Sequence, residues 1–311
     1  MKNLISSNYK SSQTVIHPRV QAIAKAGIQL FRGKLLYKYF ILFFLLSVIL
    51  LSGCSEKKPD IKHTEIKRIV SLSPSITKQI IDLDSASMLV GITSYCPKTP
   101  GAVIVGNLTN PVSETILNLK PDIVLSSDED SIVQKLSALE NTGIRVYKFK
   151  KNISFEDIIS NYKDLGRLIA KEELSLKKSE IYIKKRQSLI TRPIKNKAAF
   201  FISHRPLIPA ASKTYINGIL NDCGLENIYK DLNVQYPVIS IETIIKSNPD
   251  YIFSMDSGPD DFFKKHLEKF DISAVKKQNL FYVEPDHVSS YAPMDYIDAV
   301  NEIKNFIKNK K

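Results

Sequence analysis

Residue types suited to chemistry are sparse and scattered in this chain. Histidine occurs at His17, His63, His204, His266 and His287. No two of them share a short motif, and none stands with carboxylates at the spacing of a bare zinc or manganese site. His204 and His287 each follow a predicted strand, where one of them can approach the axial position of a bound metal complex. Cys96 and Cys223 belong to no CxxC motif and read as separate, half-buried thiols. No GxSxG, HExxH or glycine-rich phosphate loop occurs, so the sequence gives no argument for an enzyme, and no catalytic residue or metal ligand is assigned. The carboxylate groups Asp128-Glu129-Asp130 and Asp260-Asp261 fall in polar, turn-like stretches and read as solvated loops.

The third cysteine, Cys54, has a distinctive context. Tyr39 to Leu51 reads YFILFFLLSVILL, thirteen residues that are nearly all apolar. That run is too short for a comfortable membrane span and suits the core of a signal peptide. Arg32, Lys34 and Lys38 precede it, and Leu51-Ser52-Gly53-Cys54 closes it. The ending resembles the lipobox of bacterial lipoproteins, which implies a diacylglycerol on the Cys54 thiol and a mature chain beginning there. The reading is a leader over 1–53 and a polar tether over 54–66, with the protein anchored in the cell envelope and facing the periplasm or the exterior. Several acyl chains hold a protein stably where one does so only marginally.

The formal net charge of +12 raises the question of nucleic acid. Seven of the 44 basic residues lie in 1–53, which has no Asp or Glu; without them 37 basic residues face 32 acidic ones, a net of +5. No basic motif with interleaved aromatics remains, so a nucleic-acid partner is not expected.

Beyond the tether, short β-rich runs alternate with helical patterns. Strands are expected at 68–72, 88–92, 123–126, 144–147, 198–203, 251–254 and 280–283, and helices at 75–82, 215–223 and 294–307. This alternation predicts an α/β architecture. An internal repeat divides it in two. Glu114–Ser126 (ETILNLKPDIVLS) and Glu242–Ser254 (ETIIKSNPDYIFS) stand 128 residues apart and agree at six of thirteen positions. Each copy reads as a short helix, a Pro-Asp stop and a buried strand, since proline cannot continue the helix. The expected lobes are 67–153 and 191–311. Between them, 154–190 is helical in pattern throughout, with no proline and one glycine, Gly166, and reads as a rigid spine.

RIVSLSPSIT (68–77), LVGITSYC (89–96), ETILNLKPDIVLSS (114–127), INGILNDCGLENIY (216–229) and PVISIETIIKSNPD (237–250) resemble the helical-backbone class of periplasmic binding proteins, which serves importers of vitamin B12, ferric siderophores and haem. The spacing is most similar to the B12-binding branch. The resemblance implies two Rossmann-like lobes joined by one long helix, with a ligand cleft between them. It implies an ABC permease dimer with its ATPase subunits as partner, and Glu114 and Glu242 as the acidic knobs that dock onto it. It implies that Tyr95 and Tyr236 pack against a corrin, with Tyr291 facing the cleft, and that Arg205 suits a siderophore's oxygens. The bound ligand is then a corrinoid or a ferric chelate, with no intrinsic cofactor. In the haem branch a tyrosine follows the glycine matching Gly106, where this chain has Asn107. A surface or sensor module on the same fold, without transport, is the alternative from another class.

Overall fold

Long apolar runs with no polar alternation form strands covered on both faces. In the computed structural model, which describes residues 65–127, 133–256 and 259–309, two such strands and three others that are more exposed build an all-parallel sheet. They are β1 (Ile69–Ser71), β2 (Leu89–Ile92), β3 (Val103–Ile104), β4 (Ile123–Ser127) and β5 (Val146–Phe149), in the order β3-β2-β1-β4-β5, with β1 and β4 the buried pair. This order reverses direction between β1 and β4, and such a switch leaves a crevice at the carboxyl ends of the strands. Helix α1 (Pro74–Asp82) follows β1, α2 (Ser113–Asn118) precedes β4, and α3 (Val133–Glu140) links β4 to β5.

The second lobe repeats the scheme with changes. Strands β6 (Lys197–His204), β9 (Tyr251–Ser254) and β10 (Leu280–Tyr282) are parallel neighbours. The other side of β6 meets β8 (Glu226–Asn227) near its start and the antiparallel β7 (Leu207–Pro209) near its end. Helices α6 (Tyr215–Asp222), α7 (Ile241–Ser247), α8 (Pro259–Leu267), α9 (Ser273–Lys276), α10 (Pro285–Val288) and α11 (Pro293–Lys308) complete it. Asp260 and Asp261, expected in a turn, fall within α8.

The repeat has a shared structural device. The residue before each repeat proline, Lys120 or Asn248, turns left-handed with φ 46° or 44°. The aspartate after the proline then clips the start of the central strand. Asp122 Oδ2 accepts from the Lys67 and Arg68 amides, each at 2.8 Å. Asp250 Oδ2 accepts from the Lys197 amide at 3.0 Å. The backbone answers in kind, with the Asp122 amide donating to the Arg68 carbonyl and the Asp250 amide to the Lys197 carbonyl, both at 2.8 Å. Each Pro-Asp therefore ends a helix and fixes where the next strand enters the sheet.

The stretch 155–189 corrects the single-helix reading. It forms α4 (Phe155–Leu168) and α5 (Glu172–Leu189), broken at Ala170, whose φ is 57°. Ser154 and Asp157 cap α4 in a reciprocal box. The two helices pack where α4 has no side chain: a Cβ on Gly166 would lie 2.1 Å from Ser175 Oγ. Helix α5 carries polar ties to both lobes. Near one end, Lys178 Nζ lies 3.1 Å from Asp82 Oδ1, and Tyr182 donates to Asp82 Oδ2 at 2.8 Å. Near the other, Arg186 Nε donates to Asp222 Oδ2 at 2.6 Å.

The main apolar core draws on both lobes. It includes Ile69, Ile80, Phe155, Ile159, Tyr162 and Tyr182, together with Phe200, Tyr215, Tyr296 and Val300. Smaller cores cover the other face of each sheet. Full burial of one such aliphatic side chain stabilises by about 1.5–3 kcal/mol. Cys96 and Cys223 lie in separate lobes, both unpaired and both buried rather than half-buried.

Candidate functional site

The loops after the parallel strands carry most of the candidate site. Tyr95 follows β2, and its side chain is 68% exposed. Behind the ends of β1 and β2, the N-terminal lobe buries a group of hydroxyls. Thr77 Oγ1 donates to Ser71 Oγ at 2.8 Å, Ser73 and Ser75 share a 3.0 Å hydrogen bond, and Thr93 Oγ1 lies 3.2 Å from Cys96 Sγ. Burial of these small polar groups is tolerable because they satisfy one another.

Arg205 stands on the opposite lobe, one residue past the end of β6, exposed and with its guanidinium 5.8 Å from the Phe262 ring centre. Its neighbour His204 packs against the same ring at 4.6 Å. His204 Nδ1 is 2.9 Å from Asp256 Oδ2 without hydrogen-bond alignment, and the His204 backbone amide donates to the same oxygen at 3.2 Å. His287 pairs elsewhere, with Glu302 at 2.7 Å, and the exposed His266 stacks on the far side of the cluster against Phe262 at 4.4 Å. Among the described residues no group of three or more His, Cys, Asp or Glu could hold a metal ion.

Tyr236 and Tyr291 are half-buried and pack on the main core, whereas Tyr95 joins none of the described apolar clusters. The segment bearing Tyr236 runs beside β7, tied by the Ala211 amide to the Gln235 carbonyl (2.8 Å) and the Ile239 amide to the Leu207 carbonyl (3.0 Å). Tyr291 lies 4.6 Å from Tyr215, ring centre to ring centre. Glu114 and Glu242 occupy matching places in the first turns of α2 and α7, both exposed. The Ser240 side chain, hydrogen-bonding Glu242, holds that carboxyl below the usual range and keeps it charged. Beside Glu242, an apolar groove of about 520 Å³ is lined by Ile241, Ile245 and Phe270 with Lys246, His266 and Lys269. Cys54 and its leader, His17, His63 and the Asp128–Asp130 run lie outside the described residues.

Sequence reasoning missed the polar contacts between the lobes. Arg186 is bracketed by Asp222 at 2.6 Å and Glu156 at 2.6 Å, and lies over the Phe155 ring at 4.9 Å. Burial opposes its charge, but the Asp222 carboxylate more than offsets this and keeps the guanidinium above its ordinary pKa. Asp82 accepts from Tyr162, Tyr182 and Lys178. Lys78 pairs with Asp295 at 3.2 Å. The sole signal in sequence was the presence of charges on otherwise apolar helix faces.

Two α/β lobes, one on a parallel sheet and one on a mixed sheet, joined through a long helix, have the architecture of a two-lobe binding protein. The chain belongs to the periplasmic binding protein family, whose model matches residues 69–287. It is 24% identical over 248 residues to the vitamin B12-binding protein of Vibrio cholerae serotype O1, covering 78% of this chain and 89% of that protein. It is 27% identical over 255 residues to an uncharacterized ABC transporter substrate-binding lipoprotein of Bacillus subtilis, covering 78% and 80%. Among solved structures, the periplasmic haem-binding protein of Vibrio cholerae superposes with a TM-score of 0.70 at 19% identity, covering 77% of this chain and 98% of that one. The relatives carry the names of binding proteins, one of them a lipoprotein, and the family is that of periplasmic binding proteins.

Proposed function

We propose that this protein captures a corrinoid between its lobes and delivers it to an ABC permease dimer driven by its ATPase subunits. In this reading residues 1–53 are a leader, Cys54 carries the lipid, and 54–66 tether the lobes 67–153 and 191–311, joined through 154–190, to the membrane. Tyr95, Tyr236 and Tyr291 contact the ligand, and Glu114 and Glu242 dock to the permease. The observation that carries the reading is the highly exposed Tyr95 ring at the carboxyl edge of the N-terminal sheet, in a chain whose relatives include a B12-binding protein. A flat macrocycle offers a broad apolar face, for which aromatic rings are economical contacts, and the phenol hydroxyl serves the wet edge.

Arg205 favours a second reading. An exposed guanidinium beside Phe262 suits the carboxylate or catecholate oxygens of a ferric siderophore. Titration calorimetry of the chain with cyanocobalamin, a ferric hydroxamate, a ferric catecholate and hemin separates the two. A one-to-one corrinoid isotherm, weakened about tenfold or more by Tyr95→Ala or Tyr236→Ala, supports the first. A saturable ferric-chelate isotherm without corrinoid heat, lost in Arg205→Ala, moves the assignment to iron uptake. Failure to bind all four leaves the surface or sensor module as the reading to pursue.

A further inference from the structure

Helix α1 belongs to the N-terminal lobe, yet two consecutive side chains on it reach the C-terminal one. Gln79 is only 4% exposed, and its Nε2 donates to the Tyr291 carbonyl at 3.1 Å. Lys78 Nζ donates to the Asp286 carbonyl and to Asp295 Oδ2, each at 3.2 Å. The same Asp295 oxygen accepts from the Ser290 hydroxyl. All of these partners lie within 286–295, the passage through α10 into α11. Within its own lobe that passage is held by Tyr215, whose hydroxyl donates to the Val288 carbonyl and whose ring meets Tyr291. A cavity of about 80 Å³ lies along the contact, lined by Lys78, Gln79, Asp82, Tyr162, Tyr182 and Asp295 among others. The cavity is large enough, and polar enough in its lining, to admit water.

We propose that Lys78 and Gln79 are positioning residues for ligand capture: acting from the N-terminal lobe, they fix segment 286–295 of the C-terminal lobe and hold Tyr291 in place before ligand arrives. The inference rests on the reading of Tyr291 as a ligand contact. Ordering a wall in advance removes a cost that binding would otherwise bear.

Hydrogen exchange read by mass spectrometry on the full chain tests it, comparing wild type, Lys78→Met/Gln79→Leu and Lys78→Arg. The expected result is exchange about tenfold faster or more in 286–292 of the double variant, with β9 unchanged and Lys78→Arg close to wild type. For whichever of cyanocobalamin, hemin, ferric hydroxamate or ferric catecholate the wild type binds, the double variant loses affinity about tenfold. Unchanged exchange in 286–292 overturns the proposal. So does acceleration that extends to β9 with a lowered Tm, which marks a purely structural role. Should the double variant not fold, Lys78→Met alone, at a side chain 24% exposed, takes its place. A wild type that binds none of the four chelates sinks the ligand reading before any variant is compared, while exchange in 286–292 still decides the positioning claim.

Discussion

Burial, reinforced by the adjacent Asp222 carboxylate, pushes the Cys223 thiol up to about 12. A thiol whose folded pKa exceeds its unfolded value of about 9 favours the fold while protonated. That contribution is complete below pH 9 and is lost as pH climbs toward 12, at up to about 1.4 kcal/mol per pH unit. Thermal melts from pH 8 to 10.5 should therefore fall more steeply for wild type than for Cys223→Ala, and a native chain at pH 8 should resist a thiol reagent at this position until denatured. Parallel slopes would contradict this assignment. The separateness of Cys96 and Cys223 was legible from their spacing, but the depth of their burial was not. It depends on packing beneath α11, where Cys223 Sγ lies 3.6 Å from the Val300 carbonyl, 77 residues away. The site's individual tyrosines follow the same division. Sequence placed Tyr95 on a loop after a strand, whereas the tie between Gln79 and the Tyr291 carbonyl spans 212 residues and has no local signature.

Secondary-structure elements were easier to anticipate than their interruptions. The apolar runs gave the parallel strands because a doubly covered strand needs no polar alternation, and β9 matches its expected range of 251–254. The break between α4 and α5 escaped because Ala170, Lys171, Glu172 and Glu173 are all ordinary or good helix formers, so local propensity argued for continuation. Tertiary contact decides otherwise. Gly166 lets α5 fold back closely enough for Ser175 to sit where a Cβ would be. Gly166→Val should cost about 1–3 kcal/mol in denaturant unfolding through this clash, and Ser175→Gly in the same chain should recover much of it. Equal loss in the single and double variants would show that the helices meet elsewhere. The strand expected at 144–147 forms at 146–149 instead, so that Phe149 can enter the core while Ile144 stays in the preceding turn region.

At the scale of the molecule, the repeat gives the two lobes one plan and gives each an exposed glutamate at an equivalent helix start. A receptor with paired subunits is the partner that such an arrangement suits. Reversing both charges in Glu114→Arg/Glu242→Arg should reduce uptake in cells at least tenfold with ligand affinity intact, since removal of matched charge and its replacement by repulsion act together. Unchanged uptake at equal expression would remove the docking role. Each single reversal should give a partial loss, because the other lobe retains its contact.

The shared core also has a consequence for the order in which the chain is made. Phe155 meets Tyr296 at 4.9 Å, Arg186 lies over both rings, and Lys304 donates to the Leu189 carbonyl at 2.6 Å. The apolar faces of α4 and α5 are thus covered in part by α11, which follows every strand of both sheets in the chain. A chain without Pro293–Lys308 has the strands of both sheets in hand but lacks the helix that these contacts need. Contacts between residues more than a hundred positions apart, rather than completion of either half, close the fold.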